Sequence, residues 1–263
     1  MDNIASRFEF ANQTCRAAGE IAAQYFADRG SLAIEVKGAQ DWVSEADKNV
    51  ETFIRKRIAD AWPDDGVFGE EHGSATGSSG FDWVIDPIDG TTNFVNGIPA
   101  WTIVLAGVSN NRTELGVIHD PNFGETFTAR RGQGGHLNGA PMRVASGIGL
   151  ESGTVSVGYS NRVEAAHVVP VIADIVSRGA LYHRNASGAL SLAYVAAGRM
   201  LGYLEEHMNA WDCLAGQLMI EEAGGKVENQ NAGDMIREGG RVVASAPDIF
   251  DDLCAIANAH WSK

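Results

Sequence analysis

The stretch WVIDPIDGTTNF, Trp83 to Phe94, runs three apolar residues into two carboxylates three positions apart, and follows them with a glycine and two hydroxyls. The apolar lead reads as the end of a buried strand. Asp-Pro-x-Asp-Gly is good turn chemistry, so a surface turn accounts for part of the pattern. Gly90 also lets the backbone approach a ligand, and a helix opening on "TTNF" aims the amides of Gly90, Thr91 and Thr92 at an anion. Threonine adds a hydroxyl that can hold and polarise a water. Acids for a cation beside amides for a phosphate describe a phosphoester site.

Upstream, apolar residues at Ile4, Phe8, Ala11, Cys15, Ala18, Ala22 and Phe26 predict an amphipathic helix over 4–27, closed by Gly30. A second helix is expected from Ser44, with Asp47 three residues on as in a capping box, and Pro63 as its stop. "GVFGEE" and "FDWVID" read as short strands ending in carboxylates. Downstream, Trp101–Val108 and Glu114–Ile118 predict a strand pair joined by a polar turn, with another strand at Thr126–Ala129. The glycine-rich Arg130–Pro141 segment reads as a loop, its Arg130–Gly135 part as a loop rather than a phosphate nest. It marks a boundary near residue 140, dividing a metal- and phosphate-binding α+β half (1–140) from an α/β half that completes the site (141–263).

The second half alternates: a strand in "GTVSVGY", helices around Ala165–Val176 and Leu190–Ala197, a strand in "MLGYLEE", a helix over Asp212–Ala223, a strand in "RVVASAP" and a short final helix. Mixed meander and βα alternation predicts a layered α/β or α+β protein forming one compact unit.

Other acids also end apolar segments: Glu70 and Glu71 after Val67-Phe68-Gly69, Glu205 and Glu206 after "GYL", and Asp212 at a helix start. Each alone has an ordinary explanation, as a turn, a solvated pair or a helix cap. Brought to one rim, such carboxylates repel unless a cation joins them, and hard oxygen ligands suit magnesium or manganese over zinc.

Composition narrows the classes. The 263 residues carry 34 acidic against 20 basic side chains, a formal charge of −14, which disfavours direct nucleic-acid binding. Three dispersed cysteines with no C-x-x-C argue against a disulfide framework or zinc site and fit a reducing, cytoplasmic compartment. No apolar h-region opens the sequence and no apolar run reaches bilayer length, so neither a signal peptide nor a membrane span is expected. Of the seven histidines only His72 is near the proposed site, and it reads as structural or exposed. Trp62, Trp83, Trp101 and Trp211 read as packing residues.

Together "DWVSEAD", "GEEHG", "WVIDPIDGTTNFVNGIP" and "WDCLAGQLMIEEAGG" resemble the ordered signatures of the inositol monophosphatase family. The resemblance implies a layered αβαβα fold, a dimer, and magnesium-dependent, lithium-sensitive hydrolysis of a small phosphomonoester, with two to three ions per site. It implies that Glu70, Asp86 and the Ile88 carbonyl hold one ion, that Asp86, Asp89 and Asp212 hold a second, and that Glu70 helps a third. Asp47 would accept a hydrogen bond from Thr91, which orients the attacking water, while Gly90 and Thr91 cradle the phosphate. Asp47, Glu70 and Thr91 form the expected catalytic set, and Asp89, Gly90, Thr91, Thr92, Gly188, Glu205 and Asp212 the expected substrate-binding one.

The departures concern substrate. The family's Phe-Val-His-Gly is Phe94-Val95-Asn96-Gly97 here, Ser44 replaces a threonine, and Gly-Ser-Ala-Ala-Leu is Ala186-Ser187-Gly188-Ala189-Leu190. Glu205 matches a position that contacts inositol hydroxyls in relatives, Gly188 lies in the stretch beside the sugar, and Lys37 matches a basic residue near the mouth. "TTNF" resembles the inositol branch more than siblings acting on fructose bisphosphate, histidinol phosphate or nucleotide bisphosphates. Some bacterial members act as extragenic suppressors touching transcription or RNA processing, so an added regulatory binding role stays open.

Overall fold

The computed structural model describes residues 3–31, 34–38, 41–160 and 162–261, with the side chains of 31–43 outside that description. Helix α1 (Asn3–Ala27) buries Ala11, Cys15, Ala18 and Ala22 along one stripe, as their spacing predicts. A short antiparallel pair, β1 (Ile34–Gly38) and β2 (Asp41–Ser44), leads into α2 (Glu45–Ala61). Ser44 caps α2, and its box with Asp47 closes in both directions.

The chain then lays down β3 (Gly66–Gly69), β4 (Gly73–Ala75) and β5 (Phe81–Asp89), turns through α3 (Thr91–Asn96), and continues with β6 (Thr102–Ser109), β7 (Arg112–Asp120), β8 (Glu125–Arg130), β9 (Gly135–Leu137) and β10 (Ala140–Pro141). These strands build an eight-stranded sheet in the order β10-β9-β8-β7-β6-β5-β3-β4. Only β3 and β5 run parallel among its neighbours. The β6–β7 turn uses Asn110 and Asn111 at positive φ, a conformation asparagine tolerates.

One expectation is corrected here. The segment Arg130–Pro141 is not simply a loop, because β9 and β10 lie inside it. Pairing of Phe127 with Leu137 and Thr128 with His136 recruits it to the sheet, so tertiary pairing overrides a glycine-rich local sequence. The turn before β9 does bind an anion, but one of the chain's own. The amides of Gly132 and Gly134 donate to the two carboxylate oxygens of Glu222, at 2.7 and 2.8 Å.

The second half supplies β11 (Thr154–Val157), α4 (Ala165–Ser177), β12 (Leu181–His183), α5 (Gly188–Ala196), β13 (Gly202–Met208), α6 (Ala210–Glu222), β14 (Lys226–Val227), α7 (Ala232–Glu238), β15 (Gly240–Ser245) and α8 (Phe250–His260). Its five strands order as β12-β11-β13-β15-β14. Helices α1 and α2 cover one face of the large sheet, α5 and α6 fill the space between the sheets, and α4 and α8 cover the outside of the small one. The order is αβαβα. The apolar core between the sheets joins Val104, Ile118 and Phe127 to Leu192, Leu214 and Leu218, so α5 and α6 fasten the halves together. No helix among the described residues is long and apolar enough to cross a membrane.

Candidate active site

Pairing of β5 with β6 is regular to Asp86 opposite Val104, but the next partner pair is Asp89 opposite Thr102. Pro87 and Ile88 therefore face the single residue Ile103. In an unbroken strand, residues three apart point to opposite faces. The extra residue of this bulge restores parity and turns both carboxylates to one side. Proline suits the position because it has no N–H to give the ladder. The Ile88 N–H donates to Asp86 Oδ1 at 3.0 Å.

Asp212 reaches the same point from the first turn of α6, where the Asn209 N–H donates to its Oδ2 at 3.2 Å. Carboxylate oxygens of Asp86, Asp89 and Asp212 lie within 4.8 Å of one another. Glu70, just past the end of β3, lines the same cavity. Burial, then the charge of Glu70, then those of Asp89 and Asp212 push the Asp86 carboxyl well above the usual carboxylate range. Burial and the Asp212 charge push Asp89 up to about 7, against hydrogen bonds that lower it. Burial likewise raises Asp212, while the Arg162 guanidinium 3.8 Å away opposes the rise. The converging set holds only carboxylates, mutually repelling and largely desolvated. That set fits a hard divalent cation, which would offset both burdens.

Asp89 is fastened from the other half of the chain. The Ser187 hydroxyl donates to its Oδ2, the Ala189 N–H reaches the same oxygen at 3.0 Å, and the Gly188 N–H reaches Oδ1 at 3.2 Å. A carboxylate at a helix N-terminus meets free amides there.

Behind the acids, Gly90 takes φ +96° and caps α3. A Cβ there would lie 2.9 Å from the Ala100 carbonyl and 3.3 Å from Ser187 Cβ, so both conformation and space require glycine. The Thr91 hydroxyl lies 3.0 Å from Asp47 Oδ1 and 3.1 Å from the Ile88 carbonyl. Asp47 Oδ2 accepts the Ser44 hydroxyl at 2.5 Å and its N–H at 2.9 Å. Burial pushes Asp47 up to about 6 despite these bonds.

The cavity, about 780 Å³, extends past Thr92, Gly188 and Glu205. Glu205, buried on β13, accepts the Tyr203 hydroxyl at 2.5 Å, and burial pushes it up to about 7. Gly158 leaves it room, since a Cβ there would fall 2.0 Å from its Oε2.

The structure thus brings Glu70, Asp86, Ile88, Asp89, Gly90, Thr91, Thr92, Gly188, Glu205 and Asp212 to one cavity, with Asp47 bonded to Thr91 behind it. His72 is exposed and engages Thr52 and Lys48 rather than the cavity. The Lys37 side chain lies outside the described residues. Sequence reasoning missed the Ser187–Asp89 bond and the cavity residues Arg162, Arg184 and Tyr203. Only the position of Ser187 before a helical apolar run hinted at a cap.

Residues 3–262 match the model of the Inositol monophosphatase family. The chain is 37% identical over 258 residues to the Nus factor SuhB of Pasteurella multocida, covering 96% of this chain and 94% of that one. It is 36% identical over 235 residues to the inositol-1-monophosphatase of Mesorhizobium japonicum, covering 88% of each. The crystal structure of the extragenic suppressor protein SuhB from Bartonella henselae superposes with a TM-score of 0.90 at 31% identity, covering 95% of this chain and 98% of that one.

Proposed function

The chain belongs to the inositol monophosphatase family, and from that premise we propose that it hydrolyses inositol-1-phosphate or a related small polyol phosphate with magnesium. The family supports phosphatase chemistry, and the convergence of Asp86, Asp89 and Asp212 within 4.8 Å carries the reading. Glu70, Asp86 and the Ile88 carbonyl would hold one ion, Asp86, Asp89 and Asp212 a second, and Glu70 would help a third. Bound magnesium supplies a water of lowered pKa and charge stabilisation for the leaving alkoxide.

The chain's own groups do the positioning. Thr91 donates its hydroxyl to Asp47, which leaves the threonine oxygen to accept a hydrogen from the attacking water. Asp47, held at about 6, is matched to take a proton near neutral pH. Amides of Gly90, Thr91 and Thr92 orient the phosphate. Glu205 and Gly188 receive the polyol, Glu205 by accepting its hydroxyls. The halves 1–140 and 141–263 each contribute part of this site, so neither acts alone.

Phosphate release should be measured across inositol-1-phosphate, histidinol phosphate, fructose bisphosphate and adenosine bisphosphate, with and without magnesium and lithium. Preference for inositol-1-phosphate with lithium inhibition supports the reading. Preference for a sibling substrate moves it to that branch, and release from none rejects it.

Three free cysteines, Cys15 and Cys213 buried, support a cytoplasmic setting. Exposed Val169 and Val176 on α4, with Leu181 and Tyr182 on the packed edge strand β12, support a homodimer through that edge. Light scattering at a monomer mass would reject it. The names of the SuhB relatives favour a second role, binding a component of the transcription machinery beside catalysis. Capture of RNA polymerase that survives Asp89→Asn supports it, and no capture by either form counts against it.

A further inference from the structure

Helix α2 carries two buried carboxylates one turn apart. Asp47 faces Thr91, as described. Glu51, with no exposed surface, faces the turn between β3 and β4. Its Oε2 accepts the Glu71 N–H at 2.7 Å, and its Oε1 accepts the His72 N–H at 3.2 Å. Arg55 Nε donates to the same Oε1 at 2.6 Å, and Arg55 Nη2 donates to the Gly73 carbonyl. The three residues following Glu70 are thus all tied to α2. On the other side of Glu70, a Cβ on Gly69 would lie 2.1 Å from Glu51 Oε1. The carboxylate fills the space a side chain at 69 would need.

Burying an ionised carboxylate is costly, and it persists where charge-assisted hydrogen bonds offset the cost. Here those bonds all go to the turn that carries Glu70, or to the arginine gripping the same turn. An apolar side chain would anchor α2 to the sheet as well, but it would not fix the backbone amides on which the aim of Glu70 depends.

We propose that Glu51 is a positioning residue for Glu70: its carboxylate fixes the amides of Glu71 and His72 so that Glu70 enters the cavity beside Asp86. This rests on the reading of Glu70 as a metal ligand. Because Asp47 stands one turn earlier on the same helix, α2 places the water-orienting pair and the Glu70 turn against one rigid element. Partners that orient metal ligands are worth roughly 10–100-fold in metal affinity.

The test uses the full-length protein stripped of cations and titrated with Mn²⁺, with bound ion read by electron paramagnetic resonance and folding by thermal melting. Glu51→Gln offers one acceptor oxygen and turns an amide N–H toward donors. Gly69→Ala displaces the carboxylate without removing it. Both should weaken Mn²⁺ binding by about 10–100-fold while still melting cooperatively. Wild-type Mn²⁺ affinity in folded Glu51→Gln overturns the proposal. If that variant does not fold, wild-type affinity in Gly69→Ala does so. A wild-type protein that binds no Mn²⁺ overturns the metal reading itself, a result distinct from equal binding by wild type and variants.

Discussion

The Ser187 hydroxyl donates to Oδ2 of Asp89, joining the N-cap of α5 to the last residue of β5 across 98 positions of chain. One hydroxyl thus serves the helix, by accepting the Leu190 N–H, and the candidate metal ligand. Ser187→Ala should cost about 1 kcal/mol as a lost cap. It should also weaken divalent-cation binding by roughly tenfold through looser aim of Asp89. Melting without cations reads the first effect and calorimetric titration the second.

Burial and the charges of Glu70, Asp89, Asp212 and Asp47 all push the Asp86 carboxyl well above its usual range. Asp86→Asn keeps an acceptor for the Ile88 N–H and removes the charge. It should remove magnesium-dependent turnover yet raise the melting temperature in EDTA by roughly 3 °C, the equivalent of about 1 kcal/mol in a chain this size. Lower melting would show that charge repulsion does not burden the site.

Stability of the cation-free protein should fall as pH rises from about 5 to 8. Asp47 is held near 6, and Asp89 and Glu205 near 7, against ordinary values of 3.8 and 4.5. In that window the folded state binds more protons than the unfolded chain, so raising pH favours unfolding. Magnesium should reverse the trend, raising the melting temperature more at pH 8 than at pH 5, because protons compete with the ion. Melting curves at both values, with EDTA and with magnesium, check this.

Ala186 takes φ +59°, a left-handed conformation that costs a residue with a Cβ. It directly precedes Ser187, so strain sits beside the bond that fastens Asp89. Ala186→Gly should stabilise the protein by about 1 kcal/mol, the relieved strain exceeding the added chain entropy. Chemical denaturation measures it, and a destabilised variant would contradict it.

Much of this architecture was legible in the sequence. The apolar stripe of α1, the Ser44–Asp47 box and the strand opening at Phe81 follow from periodicity and capping chemistry, which act locally, although the strand runs on past Asp86 to Asp89. β9 was not legible, since only pairing with β8 makes a strand of a glycine-rich segment. Neither was β12, three exposed residues with no alternation, nor α7, a single short helix opening on Ala-Gly. At the site the acids were visible as residue types, but their convergence followed from the family resemblance and not from local pattern. Asp86 and Asp89, three apart on a strand, should diverge, and only the bulge at Pro87–Ile88 brings them together. Glu51 left no mark beyond its spacing of four from Asp47, because its partners are backbone amides some twenty residues away.

The central claim is that Asp86, Asp89 and Asp212 form a cation site that drives phosphate hydrolysis. The most direct measurement is phosphate release from inositol-1-phosphate by EDTA-stripped protein as magnesium is added back, for wild type and Asp212→Asn in parallel. Activity that is absent without magnesium, rises to saturation in the wild type and stays absent in the variant is the predicted result. Near-normal turnover by Asp212→Asn, or release by the stripped wild type, would contradict the account.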